Sequence, residues 1–265
     1  MSRVRSCHYS TRLIDRWSGR PKQNPPRDIT SDIRPISLTA SLSKVLESFV
    51  SRWILEIIDN KLDRKQFRCL RGKSTTHALI DMLHHWNSAL DNRKTVRLLF
   101  VDYATAFDHV DHSTVVRKLI IFGIPDILIR WICSFLIDRQ QRVKMCDAFS
   151  SWVMLSGSMP QGSLLGPLTF IVLIDNLTTG CMTHKFVDDT TLSEFINKGE
   201  PGTMDLNLTQ LLDWFSSNYM NVNIKETKEM IICSSNSNVF SPLRVADVEI
   251  ERVDVFKLLG VYINP

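Results

Sequence analysis

The stretch Lys185-Phe186-Val187-Asp188-Asp189-Thr190-Thr191-Leu192 sets two adjacent carboxylates between apolar residues. A third candidate ends the apolar run Leu99-Phe100-Val101-Asp102, just before Tyr103. Neighbouring residues on a straight strand point to opposite faces, so Asp188 and Asp189 converge only where the chain turns. A β-hairpin supplies that turn, since aspartate tolerates tight turns and β-rich segments lie on either side. A sheet that sets Asp102 beside the hairpin gathers three carboxylates into one small volume. Their repulsion raises at least one pKa unless cations neutralise it. Magnesium is the natural partner, because it takes hard oxygen ligands and keeps positions open for phosphates. Two such ions about 3.5–4 Å apart form the clamp used in phosphoryl and nucleotidyl transfer. An Asp-Asp pair at a turn is common by itself, so the surrounding elements have to carry independent support.

Those elements are readable from periodicity. Leu42, Val45, Leu46, Phe49, Val50, Trp53, Ile54, Ile57 and Ile58 fall at helical spacing and predict a helix from Ser41 to near Asn60. Ser74 caps a second helix through Leu79, Met82, Leu83 and Trp86, after a basic loop at residues 64–73. Thr95 to Val101 reads as a buried central strand that delivers Asp102 at its end. Asp111 caps a helix that Gly123 and Pro125 stop, and another helix follows from Asp126 to Ile137. Arg142–Met145 and Trp152–Leu155 predict paired strands across a turn at 146–151. The Gly/Pro-rich bend from Met159 to Pro167 leads into an apolar helix through Asn176. Strand, Asp-Asp turn and strand occupy Met182–Phe195, and Thr203–Tyr219 is helical. Late strands fall at Met230–Cys233, Arg244–Val245 and Phe256–Ile263. A sheet with helices on one face is an α+β core.

Composition bounds the class. The 265 residues, 44% hydrophobic and 23% charged, are ordinary for a water-soluble globular chain with a sizeable core. The longest apolar run, around Leu168–Ile174, is far too short to span a bilayer, which predicts no membrane partner. Met1 to Arg20 is polar and basic, without a signal-peptide core. Six cysteines scattered without CxxC pairs fit a reducing compartment and argue against structural zinc. The net charge of +4 is too small to prove nucleic-acid binding, although the basic arm up to Arg34 could track phosphates.

Six ordered motifs together resemble the reverse transcriptase domain of non-LTR (LINE-type, jockey-like) retrotransposons, over roughly Pro25 to Ile263. Arg34-Pro35-Ile36-Ser37-Leu38 with Ser43–Glu47 resembles the first fingers motif, and Gln66–Thr75 the second. Phe100–Asp108 resembles the first palm motif, and Pro160-Gln161-Gly162-Ser163 with Gly166-Pro167 the next. Phe186-Val187-Asp188-Asp189 resembles the aspartate-pair motif, and Phe256–Val261 the grip that precedes the thumb. The resemblance implies an α+β, right-hand polymerase fold of fingers and palm, with an antiparallel sheet backed by helices. It implies fingers at about 25–94 and 112–140, palm at about 95–111 and 141–265, and an unstructured basic leader at 1–24. The implied activity is RNA-directed DNA polymerisation, with an RNA template, a DNA primer and dNTPs as partners and two Mg2+ ions, or Mn2+, as cofactor. An intracellular setting, nuclear or cytoplasmic, goes with it.

Residue roles follow from the same resemblance. Asp102 and Asp188 bind both metals, Asp189 contributes more weakly, and the carbonyl of Tyr103 joins the second ion. Arg34 clamps the triphosphate, since a guanidinium fork suits phosphate oxygens. Phe107 lies beneath the sugar and crowds out a 2′-hydroxyl, which separates this reading from an RNA-templated RNA polymerase. Gln161 and Gly162 lie under the nucleotide and template base, where glycine permits close approach. One departure matters: the family's Asn-x-x-Lys-Thr reads Asn223-Ile224-Lys225-Glu226-Thr227-Lys228, so Lys225 or Lys228 must supply any proton to leaving pyrophosphate. The chain stops where a thumb is expected to begin, which makes a fragment, or a catalytically inactive nucleic-acid-binding remnant, the alternative expectation.

Overall fold

The computed structural model describes residues 12–16, 40–68, 70, 72–104, 110–145, 148–154, 159–160, 162–233 and 240–265. Within these, the periodic segments become the expected elements. Helix α1 (Ser41–Ile58) buries Val50, Ile54 and Ile58 along one stripe. Helix α2 (Thr75–Asp91) starts on Ser74, whose side chain accepts from the backbone of His77. Strand β2 (Thr95–Asp102) is buried along seven of its eight residues, following strand β1 (Arg12–Arg16). Helix α3 (His112–Ile121) begins on Asp111, whose carboxylate accepts from the Thr114 N–H at 2.7 Å, and α4 (Asp126–Leu136) follows Pro125. Hydrogen bonds to Ser113 and Thr114 outweigh partial burial and hold the Asp111 carboxyl below its ordinary range.

The chain divides into two compact units, Met1–Lys61 with Phe107–Leu173, and Leu62–Ala106 with Ile174–Pro265. In the first, β3 (Gln140–Met145) pairs antiparallel with β5 (Val153–Met154), as the sequence predicts, and also with β4 (Ala148–Phe149), a short strand inside the stretch expected to be the turn. It also pairs in parallel with β1, so Arg12–Arg16 is a strand inside the stretch expected to be an unstructured leader. Helix α5 (Leu165–Ile174) is apolar on every side and buried on nearly every side, as a core helix must be.

The second unit carries the five-stranded sheet, in the order β11-β8-β2-β7-β6. Its strands are β6 (Met182–Phe186), β7 (Asp189–Ile196), β8 (Lys228–Ile232) and β11 (Glu251–Arg252) around β2. All neighbours are antiparallel except β11, which runs parallel to β8. Val96, Leu98 and Phe100 on one face of β2 pack with Ala78, Met82 and Trp86 of α2, and the Trp86 indole donates to Ser193 at 2.9 Å. On the other face, Tyr103 meets Phe215 of α6 (Met204–Ser217), ring centroids 4.8 Å apart. Helices therefore cover both faces, not one, which explains why β2 is a continuous apolar run instead of an alternating one.

That second face also holds a buried ion triad. The fully buried Glu229 carboxylate accepts from Arg97 at 2.6 Å and from Arg252 at 2.9 Å, so a charge that would be costly alone is paired on both oxygens. After the small hairpin β9 (Arg244–Val245) and β10 (Val248–Glu249), the segment expected as one strand at Phe256–Ile263 is itself a hairpin. Its strands β12 (Phe256–Leu258) and β13 (Val261–Ile263) are joined by Leu259 and Gly260, both with positive φ (48° and 92°). Two such residues make the primed turn that matches strand twist, and Phe256 stacks on Phe100 with centroids 4.0 Å apart.

Candidate active site

The hairpin β6–β7 closes on the pair Phe186 and Asp189, so its two-residue loop is Val187-Asp188. The tight turn predicted for the aspartates is there, shifted by one residue: Asp188 lies in the turn and Asp189 opens β7. The positive φ falls on Val187 (60°), an unusual conformation for a β-branched residue. Its side chain is buried, and that packing holds the strained turn in place.

Register brings the third carboxylate to the same place. Asp102 stands directly opposite Asp189 in the β2–β7 ladder. Facing residues of an antiparallel pair share a face, with Cα atoms about 4.5–5.5 Å apart. Asp102 is further fixed by the segment before β8. The Asn223 side-chain amide donates to its Oδ2 at 2.9 Å, and the Asn223 N–H donates to its carbonyl at 2.9 Å. The Asp102 N–H donates to the Thr227 hydroxyl at 3.2 Å. Tyr103 is buried and its hydroxyl bonds Thr190 at 2.9 Å. Burial, together with the charges of Asp188 and Asp189, raises its phenol above the ordinary tyrosine range, against the pull of the Thr190 bond. The backbone register thus sets Asp102, Asp188, Asp189 and Tyr103 at one end of the β2–β7 ladder.

The strand behind the hairpin is braced. Lys185 is fully buried, and its ammonium reaches the Asp63 carboxylate at 2.7 Å and the carbonyls of Asp175 and Leu177 at 2.6 and 2.9 Å. Burial works against ionisation of Asp63, but the hydrogen bonds from Lys185 and the Lys65 N–H, with the Lys185 charge, prevail and keep its carboxyl below the ordinary range. The backbone of Lys185 is held as well, donating to Lys65 and accepting from Phe67. Next to it, His184 bonds Asp81 at 2.7 Å, and Lys65 bonds the same carboxylate at 2.6 Å. Burial lowers the His184 pKa more than Asp81 raises it, so the ring is neutral near pH 7 and donates from Nε2.

The remaining predicted residues divide by unit. Gly162 belongs to the first unit and adopts φ 99°. Ser163 donates back to the Pro160 carbonyl at 3.1 Å, closing a turn whose third residue must tolerate positive φ, which is why glycine stands there. Lys225 is exposed in the turn after Asn223, and the Lys228 ammonium bonds Glu251 at 2.8 Å. Arg34, Phe107 and Gln161 lie outside the described residues.

Comparison with known proteins decides the family. The family profile described as reverse transcriptase (RNA-dependent DNA polymerase) matches residues 20–263, nearly the whole chain. The chain belongs to the reverse transcriptase family. It is 27% identical over 263 residues to a probable RNA-directed DNA polymerase from transposon BS of Drosophila melanogaster, and 26% identical to that from transposon X-element. Each match covers 93% of this chain and 28% of the relative, so the chain spans under a third of the length of these proteins. A Pol polyprotein from the type-1 retrotransposable element R2 of Popillia japonica is 23% identical over 87% of the chain.

Solved structures share the fold. Telomerase from Candida albicans, in complex with a TWJ fragment of telomeric RNA, superimposes with TM-score 0.62 at 11% identity, over 91% of this chain and 44% of that one. Apo telomerase from Candida tropicalis gives TM-score 0.61 at 12% identity, over the whole of this chain and half of that one. The fold is that of polymerase fingers and palm.

Reverse transcriptases work with a divalent metal, and two places here merit testing as its seat. Among the described residues, ligand atoms of Asp81, His85 and His184 lie within 4.8 Å of one another. Imidazole nitrogens suit zinc better than magnesium, and the Lys65 ammonium already neutralises Asp81. That group is a brace between α2 and β6. The carboxylate corner offers oxygen donors only, which fits a hard cation. Three contributors in this reverse transcriptase fold escaped the sequence reading. Asn223 and Thr227 were visible as the ends of a motif valued for its lysine, whereas the structure gives them to Asp102. Glu47, fully buried in α1, accepts from Ser43 at 3.2 Å and from the Leu164 N–H at 2.8 Å, and so fixes the bend that contains Gly162.

Proposed function

We propose that this chain is the catalytic core of an RNA-directed DNA polymerase of the non-LTR retrotransposon type, adding dNTPs to a primer 3′-hydroxyl on an RNA template. The observation that carries the reading is the register of Asp102 opposite Asp189, with Asp188 in the adjoining turn. Asp102, Asp188, Asp189 and the Tyr103 carbonyl would hold two Mg2+ ions, or Mn2+, which supply activation of the primer hydroxyl and charge stabilisation on the phosphates. The chain's own residues do the rest. Asn223 and Thr227 keep Asp102 in one orientation, so little reorganisation is needed at the moment of reaction. Lys225, exposed beside that segment, is the better candidate for protonating pyrophosphate, because Lys228 is engaged with Glu251. Arg34 would grip the triphosphate, Phe107 would reject ribose, and Gln161 with Gly162 would support the nucleotide and template base.

Primer extension tests this. With poly(rA)/oligo(dT), dTTP and magnesium, the chain should incorporate nucleotide and EDTA should stop it. Asp188→Asn should cut the rate roughly a thousandfold, the loss of about 4 kcal/mol of metal-borne stabilisation. Equal incorporation by both proteins would remove the catalytic reading.

A further inference from the structure

Arg68 lies in the loop between α1 and α2, and its side chain is exposed. Its guanidinium carbon sits 5.2 Å from the centre of the Phe186 ring. Phe186 pairs with Asp189, and Asp189 with Asp102, so the three form one straight row across β6, β7 and β2. Facing residues in such a row project from the same side of the sheet. Phe186 thus stands at the end of the carboxylate row, its backbone two strand spacings from that of Asp102, or roughly 10 Å, and the guanidinium lies against its ring. At the opposite end of the same row lie Asn223, Thr227 and the turn with Lys225.

We infer that Arg68 binds a backbone phosphate of the template–primer duplex at the exit side of the carboxylate row. The inference rests on the polymerase reading above. The Phe186 ring seats the guanidinium, which lowers the entropy cost of receiving an anion. Its fork suits two phosphate oxygens. The direction comes from the row itself. Pyrophosphate leaves toward the end that carries Lys225, so the strand being extended runs toward the other end, where Arg68 stands. Arg64, in the same loop and also exposed, lacks an aromatic seat among the described contacts and serves as the comparison.

Two equilibrium measurements on this chain decide it, neither of which needs turnover. Fluorescence anisotropy with labelled poly(rA)/oligo(dT) is followed across a salt series, and calorimetry measures dTTP with magnesium. Arg68→Gln should weaken duplex binding roughly five- to tenfold on any sequence and lower the salt slope by about one. Arg68→Lys should recover part of the affinity but not all of it, and Arg64→Gln should weaken binding less than Arg68→Gln. Affinity for dTTP should not move. Unchanged duplex binding in Arg68→Gln overturns the assignment. So does an equal loss in Arg64→Gln, a loss confined to dTTP, or no duplex binding by the unsubstituted chain. A chain that binds duplex through Arg68 yet fails primer extension would sink the catalytic reading alone.

Discussion

Asp102 is held at three points by two residues more than a hundred positions away, Asn223 on its carboxylate and carbonyl and Thr227 on its N–H. The three aspartates were singled out by the adjacent pair together with the ordered motifs around it, since an Asp-Asp pair at a turn is common by itself. The hydrogen bonds to Asp102 were not readable, since the motif that contains Asn223 and Thr227 gives no sign of what lies opposite. Groups that orient a metal-binding carboxylate matter almost as much as the carboxylate. Replacing Asn223 with alanine should lower kcat for dTTP incorporation roughly tenfold to a hundredfold while template–primer affinity stays unchanged. Steady-state kinetics with a binding control checks this. A rise in the duplex Kd with kcat intact would assign Asn223 to nucleic acid instead.

At the scale of elements, the hairpin β6–β7 was legible in outline and its braces were not. Apolar strands around Asp188-Asp189 predicted a turn, but the strain falls on Val187, because the loop closes one residue earlier than the acids suggest. The brace on Lys185 had no signal in the sequence, because only tertiary packing reveals its buried acceptors. Removing one member of a buried pair leaves the other charge stranded. Lys185→Met should therefore destabilise the fold by roughly 3 kcal/mol, at the low end of such losses because Asp63 keeps some contact with water. Urea unfolding measures it. A loss below about 1 kcal/mol, the level of an exposed pair, would mean that the brace is ornamental to stability.

At the scale of the molecule, the helices, the central strand and the aspartate hairpin followed from periodicity and capping residues such as Ser74 and Asp111. What periodicity could not supply was long-range: the parallel addition of β11 beside β8, the pairing of Arg12–Arg16 with β3, and the cover on both sheet faces. Each depends on contacts between distant parts of the chain, where local pattern is silent. The central claim is also long-range, that β2 and β6–β7 bring three acids together as a seat for divalent metal. Manganese titration followed by electron paramagnetic resonance, with dideoxy-terminated oligo(dT) on poly(rA) and dTTP present, tests it most directly. Asp102→Asn and Asp188→Asn should each weaken manganese binding roughly tenfold or more, while Asp81→Asn leaves it unchanged. Binding that survives both of the first two substitutions, or that is lost on replacing Asp81, would contradict the account.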